Sequence, residues 1–405
     1  MKQFIVLLLL VSSLFAALTF DQNDRKEVAI LESFDIDSSF LNDKVLVDMI
    51  QKYKTTHRKR TFFKSMERAY LYIPIIKDTL TKSGIPSEFL FLAMAESNFA
   101  TRAISHKKAA GPWQFMPKTG KIYGLKIDSY VDERRDVFKS TQAAADYLTF
   151  LHKRFGKWYL AAMAYNCGEG RLDRAIKRAK SDDIATLLDY KKAYIPKETR
   201  LYIRKILTLA IMGSDERYLI RNEYAYLLNR SNANLIVPIY VPSGERLSRV
   251  AKAVNLPMRE LMKYNHHLKY DFIPPYGKKY AIYIPYDKLS SFKRYYEPTP
   301  LKNIYVVHTV KSGDNLSKIG KKYRISYKKI MDFNHLKSSR LSLKQELIIP
   351  VSTPPLTLDA LYVVRRGDTL SSIAHNFQIT VKELKKYNNM TSSLIKIGEK
   401  LHVYD

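Results

Sequence analysis

The sequence is poor in cysteine and in acidic residues. Cys167 is the only cysteine among 405 residues, so no intramolecular disulfide can form and stability must come from packing. Lys and Arg number 68 against 39 Asp and Glu, a net charge of +29. The excess is spread, with +13 over residues 1–235 and +16 over residues 236–405, whereas a nucleic-acid site concentrates its charge. We therefore expect no nucleic-acid partner. The positive charge either attracts another polyanion or only forms a soluble basic surface.

A long hydrophobic run is also lacking. The apolar stretch Phe4–Ala17 follows Met-Lys-Gln, is too short to span a bilayer comfortably and has the pattern of a secretory signal. We expect cleavage between Ala16 and Thr19, which defines a signal peptide over residues 1–19 and an exported protein. An uncleaved segment would instead associate with the membrane as an anchor. No cysteine lies at its end, so a lipid-modified cysteine is not expected.

What the chain does contain is an internal repeat in its carboxy-terminal part. Residues 310–319 reappear as 364–373, with a constant offset of 54 and without a gap. A weaker copy over 242–250 keeps the apolar skeleton but has Glu245 where the others have Asp. Each copy predicts strand, helix, helix, strand.

This pattern resembles the LysM module. The resemblance implies binding of the N-acetylglucosamine-containing backbone of peptidoglycan or chitin. We expect a degenerate copy over 236–285 and two specific copies over 305–350 and 361–403, joined by proline-containing extended spacers.

The region before the repeats is predicted to be helical. At 405 residues with 46% apolar content, the chain predicts two or more globular domains. Helical periodicity runs through residues 45–222, whereas residues 20–44 show no clear signal and are left unassigned. The predicted fold class is multidomain: a mainly α domain followed by small α+β (βααβ) modules.

The most informative stretch of that helical region ends at Glu96. Pro86 and Ser87 suit the start of a helix, and residues 89–95 are all apolar. Such a helix is buried on nearly every side, and burial raises the pKa of a carboxyl group, as a general acid requires at neutral pH. A structural carboxylate that caps a neighbouring helix is the alternative.

Two further segments carry side chains suited to a sugar ligand. In the Gly- and Pro-rich stretch 109–117, the rings of Trp113 and Phe115 are expected to stack on sugar rings and Gln114 to hydrogen-bond, while Met116 is either a ligand contact or core filler. The Ala-rich helix over 160–167 ends in a glycine turn and presents Tyr165 and Asn166.

Together these segments resemble the lytic transglycosylases with a goose-type lysozyme fold, and within them the membrane-bound lytic murein transglycosylase D group. The matching motifs are Glu96-Ser97, Gly111-Pro-Trp-Gln-Phe-Met116, Val131-Asp-Glu-Arg-Arg-Asp136, Ala164-Tyr-Asn166 with Gly168-Glu-Gly170, and Glu198-Thr-Arg-Leu-Tyr202. This chain departs from the group in having Cys167 where Ala is common, and the missing lipidation cysteine puts its "membrane-bound" label in doubt here.

The resemblance also implies an activity and a site. Glu96 would be the sole acid/base that cleaves the β-1,4 bond between N-acetylmuramic acid and N-acetylglucosamine with formation of 1,6-anhydromuramic acid. The substrate-binding residues would be Ser97, Gln114, Phe115, Met116, Tyr165, Asn166 and Tyr202, with Tyr202 facing Glu96. No metal and no cofactor are expected. The glycan strands of peptidoglycan would be the partner, and the periplasm or cell envelope the location.

The carboxylates leave one alternative open. Ordinary glycosidases use two carboxyl groups, and no acidic residue lies between Glu96 and Asp128. A second carboxylate would still be supplied if the chain folded Asp132, Glu133, Asp136 or Glu169 back into the cleft. The protein would then be a lysozyme-like hydrolase. A non-catalytic LysM wall-binding protein is the remaining alternative.

Overall fold

The computed structural model describes residues 25–228, 235–276, 279–298, 303–352, 361–364, 367–377 and 379–403. The predicted signal segment 1–19 and the prolines of both predicted spacers, apart from Pro298, lie outside these ranges. The chain divides into two compact units, Met1–Ile236 and Val237–Asp405. Within the described ranges, no helix combines the length and the apolar character that a membrane crossing requires.

The first unit is helical. Its helices are α1 over residues 25–33, α2 (Lys44–Thr55), α3 (His57–Ala69), α4 (Ile73–Lys82), α5 (Leu90–Ser97), α6 (Pro117–Ile122), α7 (Val137–Phe155), α8 (Trp158–Cys167), α9 (Glu169–Ala179), α10 (Ile184–Leu187), α11 (Lys197–Ser214) and α12 (Glu216–Arg221). Residues 98–116 and 123–136, which the sequence predicted as part of a nearly continuous helical region, are mostly turns and short bridges.

The buried helix α5 is the centre of this unit. Its residues 90–95 are all buried, as the apolar run predicts. Helix α11 packs against α5, and Gly213 makes this close approach feasible, since a Cβ there would lie 2.2 Å from the Phe91 ring. Helices α7 and α8 pair with each other, and α8 also contacts α11. Helix α11 therefore packs against both α5 and α8.

The segment left unassigned in the sequence belongs to the same core. Leu31 and Phe34 are both 0% exposed, and the Phe34 ring stacks on Phe89 with centroids 4.7 Å apart. The Asp35 carboxylate accepts a hydrogen bond from the backbone N–H of Trp158 at the start of α8. The first unit thus begins before residue 45.

The second unit contains three small modules, each with a two-stranded sheet and two helices. The first has β1 (Ile236–Val241), α13 (Leu247–Ala253), α14 (Met258–Tyr264) and β2 (Tyr280–Pro285), followed by an additional helix α15 (Leu289–Tyr295). The second has β3 (Asn303–Thr309), α16 (Leu316–Tyr323), α17 (Tyr327–Phe333) and β4 (Glu346–Ser352). The third has β5 (Leu361–Val363), α18 (Leu370–Asn376), α19 (Val381–Tyr387) and β6 (Lys400–His402). The predicted order strand, helix, helix, strand is present in all three.

One asparagine has the same structural role in every module. Asn334 follows α17, and its side-chain amide donates to the carbonyl of Ile348 in β4 and accepts from the N–H of the same residue. Asn388 makes the equivalent pair of bonds to His402, and Asn265 makes it to Tyr283. The repeated asparagine therefore fastens the second helix to the closing strand. The predicted fold class, a mainly α lysozyme-like domain followed by α+β LysM modules, is confirmed.

Candidate active site

Glu96 lies in the last turn of α5, where the buried helix reaches the surface of the core. The helix ends at Asn98, which adopts a left-handed backbone conformation (φ 53°) and so terminates it. The Arg68 guanidinium donates to the Asn98 carbonyl. The end of the helix, two residues after Glu96, is thus fixed by the backbone conformation of Asn98 and by a charged donor.

Two side chains of α11 reach this turn. The Tyr202 hydroxyl, on a residue that is 7% exposed, donates a hydrogen bond of 2.6 Å to Oε1 of Glu96. One helical turn further, Lys205 Nζ donates to the Ala95 carbonyl at 2.5 Å, next to the carboxyl group. The close packing of α11 on α5 therefore supplies a neutral donor and a cation to the same carboxylate.

The pKa of Glu96 is raised from its ordinary 4.5 to about 7. Burial is the main cause, because it disfavours the charged form, and the negative charge of Glu198 adds to it. The Tyr202 hydrogen bond and the Lys205 charge act in the opposite direction. A carboxyl group with a pKa near neutrality can both donate and accept a proton at the pH of the cell.

The loop over residues 109–116 is held beside this carboxyl by a buried arginine. Arg134 donates to the carbonyls of Lys108 and Phe115 and pairs with the Asp132 carboxylate at 2.7 Å. Gly111 lies so close to Arg134 that a Cβ would fall 1.7 Å from the arginine carbonyl oxygen, and its φ is +81°. Only glycine fits there, which explains the first residue of the motif Gly-Pro-Trp-Gln-Phe-Met in physical terms.

The aromatic rings of this loop point into the core, which corrects a prediction. Trp113 is 0% exposed and its Nε1 donates to Thr141 in α7, while Phe115 is 2% exposed. The predicted stacking of both rings on sugars is therefore not supported. Arg134 binds the Phe115 carbonyl, and Thr141 binds the Trp113 indole, so both residues are held at the core.

Other predicted residues of the loop remain accessible. Met116 is 42% exposed. Gln114 is partly buried, has a positive φ of 49°, and donates from Nε2 to the Gly111 carbonyl. Ser97 joins the loop to α5, since its hydroxyl donates to the Pro112 carbonyl at 2.8 Å.

The end of α8 completes the arrangement. The Tyr165 hydroxyl donates to the Trp113 carbonyl at 2.8 Å. Burial, and to a smaller extent the charge of Glu96, raises the pKa of Tyr165 well above 10. Asn166 Oδ1 accepts a hydrogen bond from Thr199 in α11. The ends of α5 and α8, the 109–116 loop and α11 are thus joined by hydrogen bonds around Glu96.

The acidic residues proposed as a second carboxylate have other partners. Glu133 is 4% exposed and binds the Lys126 N–H and the Lys139 ammonium, and Asp136 caps the start of α7. Asp132 is paired with Arg134, and Glu169 accepts from the Tyr147 hydroxyl. Glu198, which the sequence analysis did not consider for this role, is the carboxylate whose charge acts on Glu96.

Sequence reasoning missed three residues of this site. Lys205 lies three positions after Tyr202 on one face of α11, so helical spacing from the Glu198–Tyr202 motif would have indicated it. Arg134 was recognised only as part of a motif. Its hydrogen bonds that hold the 109–116 loop were not predictable, because they join residues far apart in the sequence. Thr199 was likewise quoted without a role.

Comparisons with known proteins agree with this architecture. Residues 73–188 match the family described as Transglycosylase SLT domain. Residues 308–350 and 362–403 match the LysM domain, and residues 236–299 match the family described as Lytic transglycosylase MltD, LysM-like domain. The fold and the site, with these matches, define a lytic transglycosylase that acts on murein and carries wall-binding modules.

The relatives place the chain more narrowly. It is 32% identical over 375 residues to the membrane-bound lytic murein transglycosylase D of Escherichia coli K12, covering 87% of this chain and 80% of that protein. The chain belongs to the membrane-bound lytic murein transglycosylase D family. It is also 37% identical over 95 residues to the cell wall-binding protein YocH of Bacillus subtilis, covering 24% of this chain and 32% of that protein.

Among solved structures, the chain is similar to the 70 kDa soluble lytic transglycosylase of Escherichia coli. The two are 21% identical with a TM-score of 0.30, over 40% of this chain and 25% of that one. The family assignment rests on the sequence relationship.

Proposed function

We propose that Glu96 is the sole acid/base of this lytic transglycosylase. In the first step its carboxyl proton passes to the glycosidic oxygen between N-acetylmuramic acid and N-acetylglucosamine, and the bond from C1 of the muramyl residue to that oxygen breaks. In the second step the muramyl C6 oxygen bonds to C1 while its proton passes to the Glu96 carboxylate. The product is a 1,6-anhydro sugar, no water is consumed, and Glu96 is protonated again.

The observation that carries this proposal is the state of Glu96. With a pKa of about 7, both the protonated and the ionised carboxyl are present near neutral pH, which suits a group that must give and then take a proton. The Tyr202 hydroxyl, at 2.6 Å, stabilises the carboxylate that forms between the two steps.

The partners of the remaining carboxylates also support a one-acid mechanism. A hydrolase needs a second carboxylate beside the scissile bond. Asp132, Glu133 and Asp136 are buried and bonded elsewhere, and Glu169 accepts a hydrogen bond from Tyr147. Glu198, whose charge acts on Glu96, is therefore the residue to test.

The experiment is product analysis by mass spectrometry after digestion of purified sacculi in labelled water. The wild type and Glu198→Gln should release muropeptides that end in 1,6-anhydromuramic acid without labelled oxygen, and Glu96→Gln should release none. Reducing ends that carry labelled oxygen, lost in Glu198→Gln, would establish a hydrolase instead.

The melting temperature of Glu96→Gln shows whether this inactive variant is folded. Because the folded-state pKa of Glu96 exceeds the ordinary 4.5, ionising this group costs stability as the pH rises from about 4.5 to above 7. Glutamine avoids that cost, so Glu96→Gln should melt no lower than the wild type at pH 8. A lower melting temperature would contradict the burial argument.

The proposal extends to the substrate contacts. Ser97, Gln114, Met116, Tyr165, Asn166 and Tyr202 would line the glycan site, with Phe115 contributing through its backbone position rather than its ring. The catalytic domain would correspond to about residues 45–222, preceded by the segment that packs on it, with LysM modules at 236–285, 305–350 and 361–403.

We further propose that the protein is exported and acts at the cell envelope. The basic start and apolar run of residues 1–17 support this location, as does a substrate found in the wall. Fractionation of cells with amino-terminal sequencing would separate a cleaved signal near residue 19 from a retained membrane anchor. Recovery of the intact chain in the cytosol would contradict export.

A further inference from the structure

The first of the three modules has a longer loop between its second helix and its closing strand. The repeated asparagine lies 18 positions before its strand partner in the first module, where the pair is Asn265 and Tyr283. It lies 14 positions before its partner in the other two modules. The difference, 18 − 14 = 4, lengthens the loop of the first module by four residues, and part of that loop reaches back to the start of α13.

Residues 271–274 of this loop are hydrogen-bonded along the turn that precedes α13, residues 242–246. Four bonds join the loop to the turn and to the first residue of the helix: Gly244 N–H to the Ile273 carbonyl, Ile273 N–H to the Glu245 carbonyl, Leu247 N–H to the Asp271 carbonyl, and the Ser243 hydroxyl to the Pro274 carbonyl. In the second and third modules the corresponding backbone bonds are made by Val310 and Val364, which precede the turn. The longer loop therefore extends the pairing across the turn itself.

The turn is consequently covered in the first module and open in the other two. Gly244 is buried, whereas its counterparts Gly313 and Gly367 are exposed. Glu245, which replaces the aspartate of the other copies, is 3% exposed, and its carboxylate accepts a hydrogen bond from the hydroxyl of Tyr296, the residue after α15. A ligand would reach the backbone of this turn only by displacing the loop that covers it.

The covering loop contacts the second module through aromatic rings. The centroid of the Phe272 ring lies 5.0 Å from that of Tyr305 in β3, and Tyr305 stacks on Phe333 of the same module at 5.3 Å. Tyr270 stacks on Phe272 at 5.4 Å, and its hydroxyl donates to the carboxylate of Glu346 at the start of β4. The loop thus binds the turn of its own module and also contacts the neighbouring module.

Arg246, the last residue of the covered turn, joins the same contact. Its counterparts Asn315 and Thr369 cap the helix that follows, since their side chains accept from backbone N–H groups of its first turn. The side chain of Arg246 makes no capping bond to α13, all of whose residues the structure describes. Its guanidinium instead lies over both rings of the second module, 5.0 and 5.2 Å from their centroids, and its Nε donates to the Tyr305 hydroxyl at 3.1 Å. Its ion pair within the first module, with Asp271, is longer at 3.5 Å. The helix therefore gives up a stabilising cap where the chain gains the contact with the second module.

We propose that the first module is a docking platform that holds the second module in a fixed orientation, and that its covered turn is not a third glycan site. Neighbouring domains move relative to each other unless their contact is extensive and apolar, and a guanidinium over stacked rings adds a cation–π attraction to such a contact. The inference goes beyond the proposed function, because it assigns different roles to modules that share one fold. Glycan contacts through the turn then belong to the second and third modules.

The test measures the distance between the first two modules in the full chain by double electron–electron resonance. Spin labels are attached to Lys252→Cys in α13 and Lys328→Cys in α17, both at exposed positions, after Cys167→Ala removes the native thiol. The distance distribution should be narrow. Arg246→Asn and Tyr305→Thr should each widen it about twofold, because each removes the guanidinium–ring contact that restricts relative motion.

The choice of asparagine separates loss of docking from loss of folding. Arg246→Asn introduces the capping residue that the second module has at this position, so the melting temperature should be no lower than that of the wild type. Arg259→Asn, at an exposed arginine of α14, is the matched control and should leave the width unchanged. A wild-type distribution as wide as that of Arg246→Asn, or a distribution that stays narrow in both Arg246→Asn and Tyr305→Thr, would overturn the proposal.

Hydrogen exchange with the hexamer of N-acetylglucosamine tests the covered turn. Peptides over residues 311–316 and 367–370 should exchange more slowly when the hexamer is added. The peptide over residues 243–247 should exchange slowly without it and should not change further, because its N–H groups are already bonded to the loop. Protection added by the hexamer at 243–247 would overturn the assignment of this turn. Lack of protection at all three turns would contradict wall binding by the modules, whereas the distance measurement decides the docking by itself.

Discussion

Burial and three neighbouring side chains set the pH at which the Glu96 carboxyl loses its proton. Burial dominates, and three side chains of α11 adjust the result in opposite directions. Glu198 disfavours the anion, while Tyr202 and Lys205 favour it. The first proton transfer requires the protonated acid, so activity should fall as the pH rises through about 7.

This balance predicts opposite effects for two charge-removing variants. Lys205→Met removes a cation, so the pKa of Glu96 should rise and the alkaline limb of the pH–kcat/KM profile should move to higher pH. Glu198→Gln removes an anion and should move the limb to lower pH. At pH 8, activity relative to each variant's own maximum should differ from wild type by about two- to fivefold in the corresponding direction, since one pKa unit is a tenfold change in the acid-to-base ratio.

The profile is measured with soluble glycan strands between pH 5 and 9. Lys64→Gln, a change at an exposed lysine of α3, serves as the control and should leave the limb in place. Shifts of the same sign in Lys205→Met and Glu198→Gln would show that Glu96 is not the group that titrates.

At the scale of elements, helical and repeat patterns were readable from the sequence because they are local. The 54-residue offset is exact in the structure: α17 begins at Tyr327 and α19 at Val381, and β4 and β6 begin at Glu346 and Lys400. The apolar run before Glu96 likewise predicted a buried helix. Each of these inferences depends only on periodicity within a short window.

Features that depend on distant contacts were not readable in this way. Residues 25–40 form too short a segment for periodicity, and their place in the core depends on Phe89 and on the start of α8. The 109–116 loop has the composition of an exposed loop, yet its aromatic rings are buried. Arg134 binds the Phe115 carbonyl and Thr141 binds the Trp113 indole. The contact between Tyr202 and Glu96 joins residues 106 positions apart and was expected from family resemblance alone.

At the scale of the whole molecule, the chain has two compact units, one with the proposed cleavage site and one with the wall-binding modules. The proposed cleavage site lies entirely in the first unit, and the LysM modules are confined to the second apart from the first residue of β1. Several weak sites on one chain gain affinity because the second binding event is intramolecular. Retention on insoluble wall should therefore depend on the number of folded modules, whereas cleavage of a soluble strand should not.

The repeated asparagine provides a way to test this division. Asn334→Ala and Asn388→Ala each remove the bonds that fasten the second helix to the closing strand, at a cost of about 1 kcal/mol per bond, which a module of roughly 50 residues tolerates poorly. Each change should lower binding to sacculi roughly tenfold and the double variant should lose more than either alone, while kcat/KM on soluble strands stays within twofold of wild type. Binding is measured by co-sedimentation, with Asn222→Ala in the first unit as an asparagine control outside the modules. If the double variant sediments like the wild type, wall retention does not come from these two modules, and the basic surface of the first unit becomes the explanation to pursue.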